Sequence, residues 1–144
     1  MILKTRLDKL VQVRERSEDR ALSNLAKARE VLGRAQESLS RAAALASADH
    51  RATSHAAHWE VEEAAHVRAL QVLRAARTDV TQAAAGEALA RAGYVEARKA
   101  AESARRVADR KRAEMLRGLA KADARRLDEI GTLAFNRDRK PSGA

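Results

Sequence analysis

Three side chains near the middle of the chain have the spacing most suggestive of chemistry. His58, Glu62 and His66 step by four residues, which would place them on one face of a helix and could hold a zinc ion. No further ligand is evident and the chain has no Cys, so a solvated helix face is the favoured interpretation. The adjacent carboxylates of Asp128 and Glu129 are better explained as surface charges than as an acid–base couple, because nothing encloses them. The sequence therefore predicts no catalytic, metal or cofactor site and no enzyme activity.

The elements that would position any functional residue must be long helices. Of 144 residues, 34 are Ala, and Leu, Ile, Val and Phe together number only 27, too few for a thick globular core. The scarcity of β-branched and aromatic residues argues against strands. A majority of Ala, Glu, Lys, Leu and Arg with helical periodicity is typical of coiled coils. The predicted fold class is all-α, with two long helices forming an antiparallel coiled-coil hairpin.

The first helix is predicted over about residues 2–46. Leu3, Leu7 and Leu10 begin an apolar seam, and after a charged stretch a seven-residue repeat keeps one stripe facing a partner helix. The repeat consists of Leu25, Ala28, Leu32, Ala35, Leu39, Ala42 and Ala46. Because a strict repeat counted from Leu10 would land on Asn24, the seam is expected to slip by one residue.

The tip of the hairpin is predicted at about residues 47–58, the most polar and least periodic stretch. Thr53 or Ser54 could cap the second helix there. The alternative tip, Thr78 to Gly86, ranks second because Val67, Leu70, Leu73 and Val80 run into it with helical spacing.

The second helix is predicted over about residues 59–136, followed by a flexible basic tail at 137–144. Small residues at Ala101, Ala104 and Ala108 form one seam. A bulkier seam follows at Leu116, Leu119, Leu127, Ile130 and Ala134.

The formal net charge of +9 is unevenly distributed. Residues 1–46 sum to +4, residues 59–97 to −2 and residues 98–144 to +7. In a hairpin both basic segments lie toward the end that holds the termini. A basic face of this kind suits an acidic protein surface, or nucleic acid bound through charge alone. No aromatic residues interleave the basic ones to stack bases, so specific nucleic-acid recognition is disfavoured.

Several short motifs together resemble the stalk proteins of bacterial type III export, flagellar FliJ and its injectisome counterparts of the YscO/SctO kind. The carrying residues are Leu7-x-x-Leu10, Glu18-Asp-Arg-Ala21, Leu25, Lys27-Ala-Arg29, Ala35, Leu39, Leu127-Asp-Glu-Ile130 and the basic stretch from Arg137 to Pro141. A Trp just past the tip and the absence of Cys agree with this family.

The resemblance implies a hairpin similar to the central stalk of rotary ATPases. The end holding both termini would enter a hexameric export ATPase and promote its activity, and the middle or tip would reach the cytoplasmic domain of the export gate. Some members of the family bind export chaperones. The expected location is cytoplasmic and peripheral to the secretion machine, with no membrane insertion.

Charge and exposure, rather than family motifs, predict the contact residues. The predicted ATPase-ring contacts are Arg6, Lys9, Arg14, Arg16, Arg110, Arg112, Arg117, Arg125, Arg126 and Asp128. The predicted export-gate contacts are Trp59, Val67 and Leu70. Trp59 has a second interpretation, as a lid packed over the turn. Alternative functions for the whole chain are a generic coiled-coil scaffold or adaptor, and a basic nucleic-acid-binding helical protein.

Overall fold

Two long helices account for almost all of the described structure. The computed structural model describes residues 4–48 and 56–139. Helix α1 spans Leu7–Ser47, a short 3₁₀ helix spans Ala56–His58, and α2 spans Trp59–Asp138. No strand occurs in these two ranges, and the all-α fold of two long, mutually contacting helices is confirmed. The suggested caps Thr53 and Ser54 lie outside the described residues.

Thr5 and Asp8 determine where α1 begins. The Thr5 backbone N–H donates to Asp8 Oδ2 at 2.8 Å, and the Thr5 hydroxyl donates to Asp8 Oδ1 at 3.1 Å. The Asp8 backbone N–H donates to the Thr5 carbonyl oxygen at 3.1 Å, so this arrangement is one half of a capping box, in which the Asp8 side chain satisfies the Thr5 N–H. It explains a start at Leu7, later than the residue 2 suggested by the apolar pattern.

The chain divides into two compact units. The central unit is Glu15–Lys99, and the terminal unit combines Met1–Arg14 with Ala100–Ala144. Each unit contains part of α1 and part of α2, so each has an interhelical contact of its own.

In the central unit the predicted seven-residue repeat of α1 faces inward. Leu25 and Ala42 are buried, and every repeat position between them is half-buried. The inward positions of α2 follow the same spacing, and all of them are buried or half-buried: Glu62, His66, Ala69, Leu73, Ala76, Val80, Ala83, Glu87, Ala90, Tyr94 and Ala97. Small and large residues alternate along both seams, an arrangement that lets side chains of facing helices interdigitate.

The terminal unit has an alanine core. Ala101, Ala104 and Ala108 are 0%, 8% and 1% exposed, as the small-residue seam predicts. Beyond Arg112, by contrast, every described residue of α2 is exposed. The bulkier seam predicted from Leu116 to Ala134 is therefore present as a stripe on the helix but is not packed against α1.

Two expectations about α1 and α2 are wrong. Leu10 is 44% exposed and does not belong to the seam, whereas Val11 is half-buried. Counting seven residues from Val11 reaches Glu18 and then Leu25, so no slip is needed. The alternative tip at residues 78–86 lies inside α2.

Candidate interaction surfaces

An ion pair joins the two helices of the terminal unit. Arg112 Nη2 donates to Asp8 Oδ1 at 2.5 Å, and Arg112 Nη1 donates to Asp109 at 2.9 Å. The pKa of Asp8 is lowered, chiefly because its carboxylate accepts the Thr5 backbone N–H, with Arg112 adding to the effect. Arg112 Nε is buried and has no hydrogen-bond partner among the described residues. The Arg112 guanidinium is therefore paired with carboxylates of its own unit, those of Asp8 and Asp109.

The other predicted ring contacts are exposed, but they do not all lie in one unit. Arg16 belongs to the central unit. The terminal unit holds the remaining exposed members: Arg6, Lys9, Arg14, Arg110, Arg117, Arg125, Arg126 and Asp128. Arg126 Nη1 lies 3.9 Å from Asp123, an exposed pair that holds the side chain only weakly.

Apolar side chains share this exposed part of α2. Leu116 and Leu119 are 56% and 52% exposed, and Leu127 and Ile130 are 69% and 62% exposed. Arg110, Arg117 and Arg125 lie on roughly the opposite side at 3.6 residues per turn. This segment, residues 113–138, is an amphipathic helix without a helical partner among the described residues.

The predicted gate contacts lie on α2 in the central unit. Trp59 is 54% exposed, Val67 45% and Leu70 37%. Exposure leaves all three available to a partner, and large aromatic side chains are frequent binding anchors.

A cleft that sequence reasoning did not predict lies close to these residues. Its volume is about 580 Å³, and Ala42, Leu45, Ala46, Ala69 and Val72 supply most of its apolar wall. Glu62 and His66 add polar groups. Leu45 and Val72 fall off the repeat positions and are more than half exposed. Leu45 follows Ala42 by three residues, and Val72 follows Ala69 by three residues. This spacing is the sequence signal from which the cleft could have been predicted.

Glu87 is the other residue that sequence reasoning missed. It is 8% exposed and is held by Arg91 Nη2 at 2.7 Å and by Arg29 Nε of α1 at 3.4 Å. Extending the repeat of Ala101 and Ala108 backward by 14 residues would have reached Glu87. The pattern of apolar residues alone passes over a charged residue at an inward position.

The zinc hypothesis gains no geometric support. Glu62 and His66 are half-buried beside the cleft, whereas His58 lies exposed in the 3₁₀ helix. In residues 4–48 and 56–139, no three His, Cys, Asp or Glu side chains are grouped to hold a metal ion.

Comparison with known proteins identifies the family. The family model described as Flagellar FliJ protein matches residues 3–140, nearly the whole chain. The chain belongs to the flagellar FliJ protein family. No curated protein and no solved structure is significantly similar to it.

Membership of the FliJ family implies a stalk role in flagellar type III export. FliJ proteins are structural, cytoplasmic stalk components of flagellar type III export, so the family resemblance inferred from the sequence is confirmed. Within the described ranges, neither α1 nor α2 contains a stretch apolar enough to cross a bilayer.

Proposed function

We propose that this FliJ-family chain is the central stalk that couples a hexameric export ATPase to the export gate. The observation that carries this proposal is the exposed α2 segment 113–138, which presents an apolar stripe and a basic side in a chain of this family. Bulky side chains without a helical partner are expected to be covered by another protein.

The terminal unit supplies the contact with the ATPase ring. Its exposed basic residues, including Arg110, Arg117 and Arg125, can pair with acidic groups or helix C-termini that line a pore. Apolar contacts through Leu116 and Leu119 would add affinity that charge alone does not provide. Since a two-helix stalk lacks the symmetry of a ring, one copy would contact different ATPase subunits differently. Such asymmetry is a physical route to sequential firing.

The central unit supplies the gate contact. Trp59, Val67 and Leu70 are exposed on α2, and the cleft beside Leu45 and Val72 offers an apolar recess. A partner side chain in that recess would be shielded from water, the setting in which binding hot spots form. An export chaperone is a second candidate partner for this surface.

The direct test measures the cognate export ATPase with and without the full chain. We expect faster ATP hydrolysis and a larger hexamer fraction when the chain is present. A folded, helical sample that changes neither quantity would contradict the stalk proposal. Co-purification separates it from a generic adaptor, which would retain an unrelated client and no ring ATPase. Tight nucleic-acid binding that survives raised salt would instead favour the basic nucleic-acid binder.

A further inference from the structure

The exposed stripe of α2 is symmetric about one residue. Leu119 and Leu127 lie four residues on either side of Asp123, and Leu116 and Ile130 lie seven residues on either side. At 3.6 residues per turn all five side chains fall on one side of the helix. We call these five residues the palindromic stripe.

A palindromic stripe is self-complementary when two copies run antiparallel. With Asp123 on the two-fold axis, Leu119 of one copy meets Leu127 of the second, and Leu116 meets Ile130 of the second. Each contact occurs twice, as an isologous two-fold interface requires. We propose that residues 113–138 bind the same segment of a second copy as an antiparallel two-helix coiled coil.

The residues that flank the stripe fit the same arrangement. Met115 and Leu133 lie eighteen residues apart, so they share one edge of the stripe. In the antiparallel pair, Met115 falls within two residues of the level of Leu133 of the second copy, which adds an apolar contact along that edge.

Asp123 is the weak point of this interface. Two Asp123 carboxylates meet on the axis, and only the Arg126 guanidinium of each copy, 3.9 Å away in the structure, offsets their repulsion. A polar residue at a central inward position lowers affinity while fixing alignment. The expected dimer is reversible, and its alignment is the one that pairs the four apolar residues.

Dimerisation and ring binding would use the same segment of α2. If the stalk proposal holds, the dimer is a state in which the ring-binding surface is covered by a second copy. The dimer proposal does not require the stalk proposal, because its test contains no ATPase.

Single-cysteine variants of the full chain test the geometry sharply, since the chain contains no Cys. Oxidation should link D123C to itself, because residue 123 lies on the axis. L116C alone and I130C alone should stay unlinked, because each lies about 21 Å along the axis from its own copy. A mixture of L116C and I130C should form the mixed dimer. R110C, on the opposite side of the helix, is the matched control and should remain unlinked.

Sedimentation equilibrium of variants without Cys measures affinity. L119D should abolish concentration-dependent dimerisation, whereas L89D, the same change at an exposed leucine of the central unit, should not. D123L should tighten the dimer by about tenfold or more, the change that 1.4 kcal/mol produces.

Two results would overturn the proposal. The first is a chain that stays monomeric at every concentration, with D123C unlinked, which would leave the export ATPase or another protein as the occupant of the stripe. The second is efficient self-linking of L116C, I130C and D123C alike, which would mean parallel pairing. Circular dichroism of each variant confirms that the helices are intact.

Discussion

The Asp8 carboxylate accepts hydrogen bonds both from the cap of its own helix and from Arg112 on the other helix. Oδ2 receives the Thr5 backbone N–H at 2.8 Å, and Oδ1 receives Arg112 Nη2 at 2.5 Å. One side chain therefore fixes the beginning of α1 and ties it to α2. Protonation of this carboxylate would weaken both connections at once.

The first prediction concerns acid stability. Because the folded-state pKa of Asp8 is lowered, its contribution to stability is complete above the ordinary Asp pKa of about 3.9 and is lost as pH falls through the folded value. Replacing Asp8 by Asn should remove that part of the pH dependence. Thermal unfolding followed by circular dichroism from near neutral pH into this acid range measures it. Asp19→Asn, an exposed position elsewhere on α1, is the control. Equal acid sensitivity of the Asp8 variant and the native chain would contradict the assignment.

A second prediction concerns Glu87, which occupies an inward position among alanines. Glu87→Leu should leave stability unchanged or raise it by about 1–2 kcal/mol, because a well-packed apolar side chain often outperforms a buried ion pair. Arg29 and Arg91 are 59% and 61% exposed and would return to water. Urea unfolding of the variant gives the free energy difference. A clear loss of stability would show that the Arg–Glu contacts outweigh the desolvation of Glu87.

The third prediction separates the seam of α1 from its outer side. Leu25 is 3% exposed, and Leu25→Ala should lower the free energy of unfolding by about 2–4 kcal/mol. Leu22 is 49% exposed, and Leu22→Ala should change it by about 0.5 kcal/mol or less. Denaturant titration gives both changes in the free energy of unfolding. The comparison uses one common slope of that free energy against denaturant concentration. Similar losses at the two positions would mean that α1 packs on a different side.

The fourth prediction tests the ring contact. Reversing the charges of Arg125 and Arg126 to Asp should abolish stimulation of the export ATPase, because both guanidinium groups are exposed on the uncovered part of α2. Reversing Arg74 and Arg77, exposed residues of the central unit, should preserve stimulation. Hydrolysis rates at saturating ATP measure the effect. Unchanged stimulation would remove Arg125 and Arg126 from the contact.

The fifth prediction tests the gate contact. Trp59→Ala should weaken binding to the cytoplasmic domain of the export gate by about 30-fold, the effect of losing a hot spot of about 2 kcal/mol. Leu89→Ala, a truncation at a 77% exposed residue, should bind like the native chain. Calorimetric titration of the purified gate domain gives both affinities. Equal binding by the two variants would indicate that Trp59 acts only as a lid packed over the turn.

Apolar periodicity was sufficient to predict the pairing of the helices but not its details. Leu25 and Ala108 were found because small and large apolar residues recur every seven positions. Leu10 was wrongly predicted to lie in the seam. The spacing of a leucine along a helix does not reveal whether a partner helix is present on that side. Val11, its neighbour, belongs to the seam.

Charged residues carry the information that periodicity lacks. Glu87 can occupy an inward position because it pairs with Arg29 of α1. The two residues are 58 positions apart in the sequence, so no local pattern encodes their contact. Arg112 was predicted as an ATPase-ring contact, and in the structure its guanidinium is bound to Asp8. The exposed state of Leu116 and Leu127 also depends on where α1 begins. That start is determined by the Thr5 cap rather than by apolar residues.

The 104-residue separation between Asp8 and Arg112 has a consequence during synthesis. At a translation rate of about 5–20 residues per second, roughly 5 to 20 s pass between the addition of one and the addition of the other. Arg29 and Glu87, 58 residues apart, can meet well before that. Asp8 therefore leaves the ribosome before Arg29 but meets its partner later, and the part of α1 around Asp8 stays unpaired in the interval.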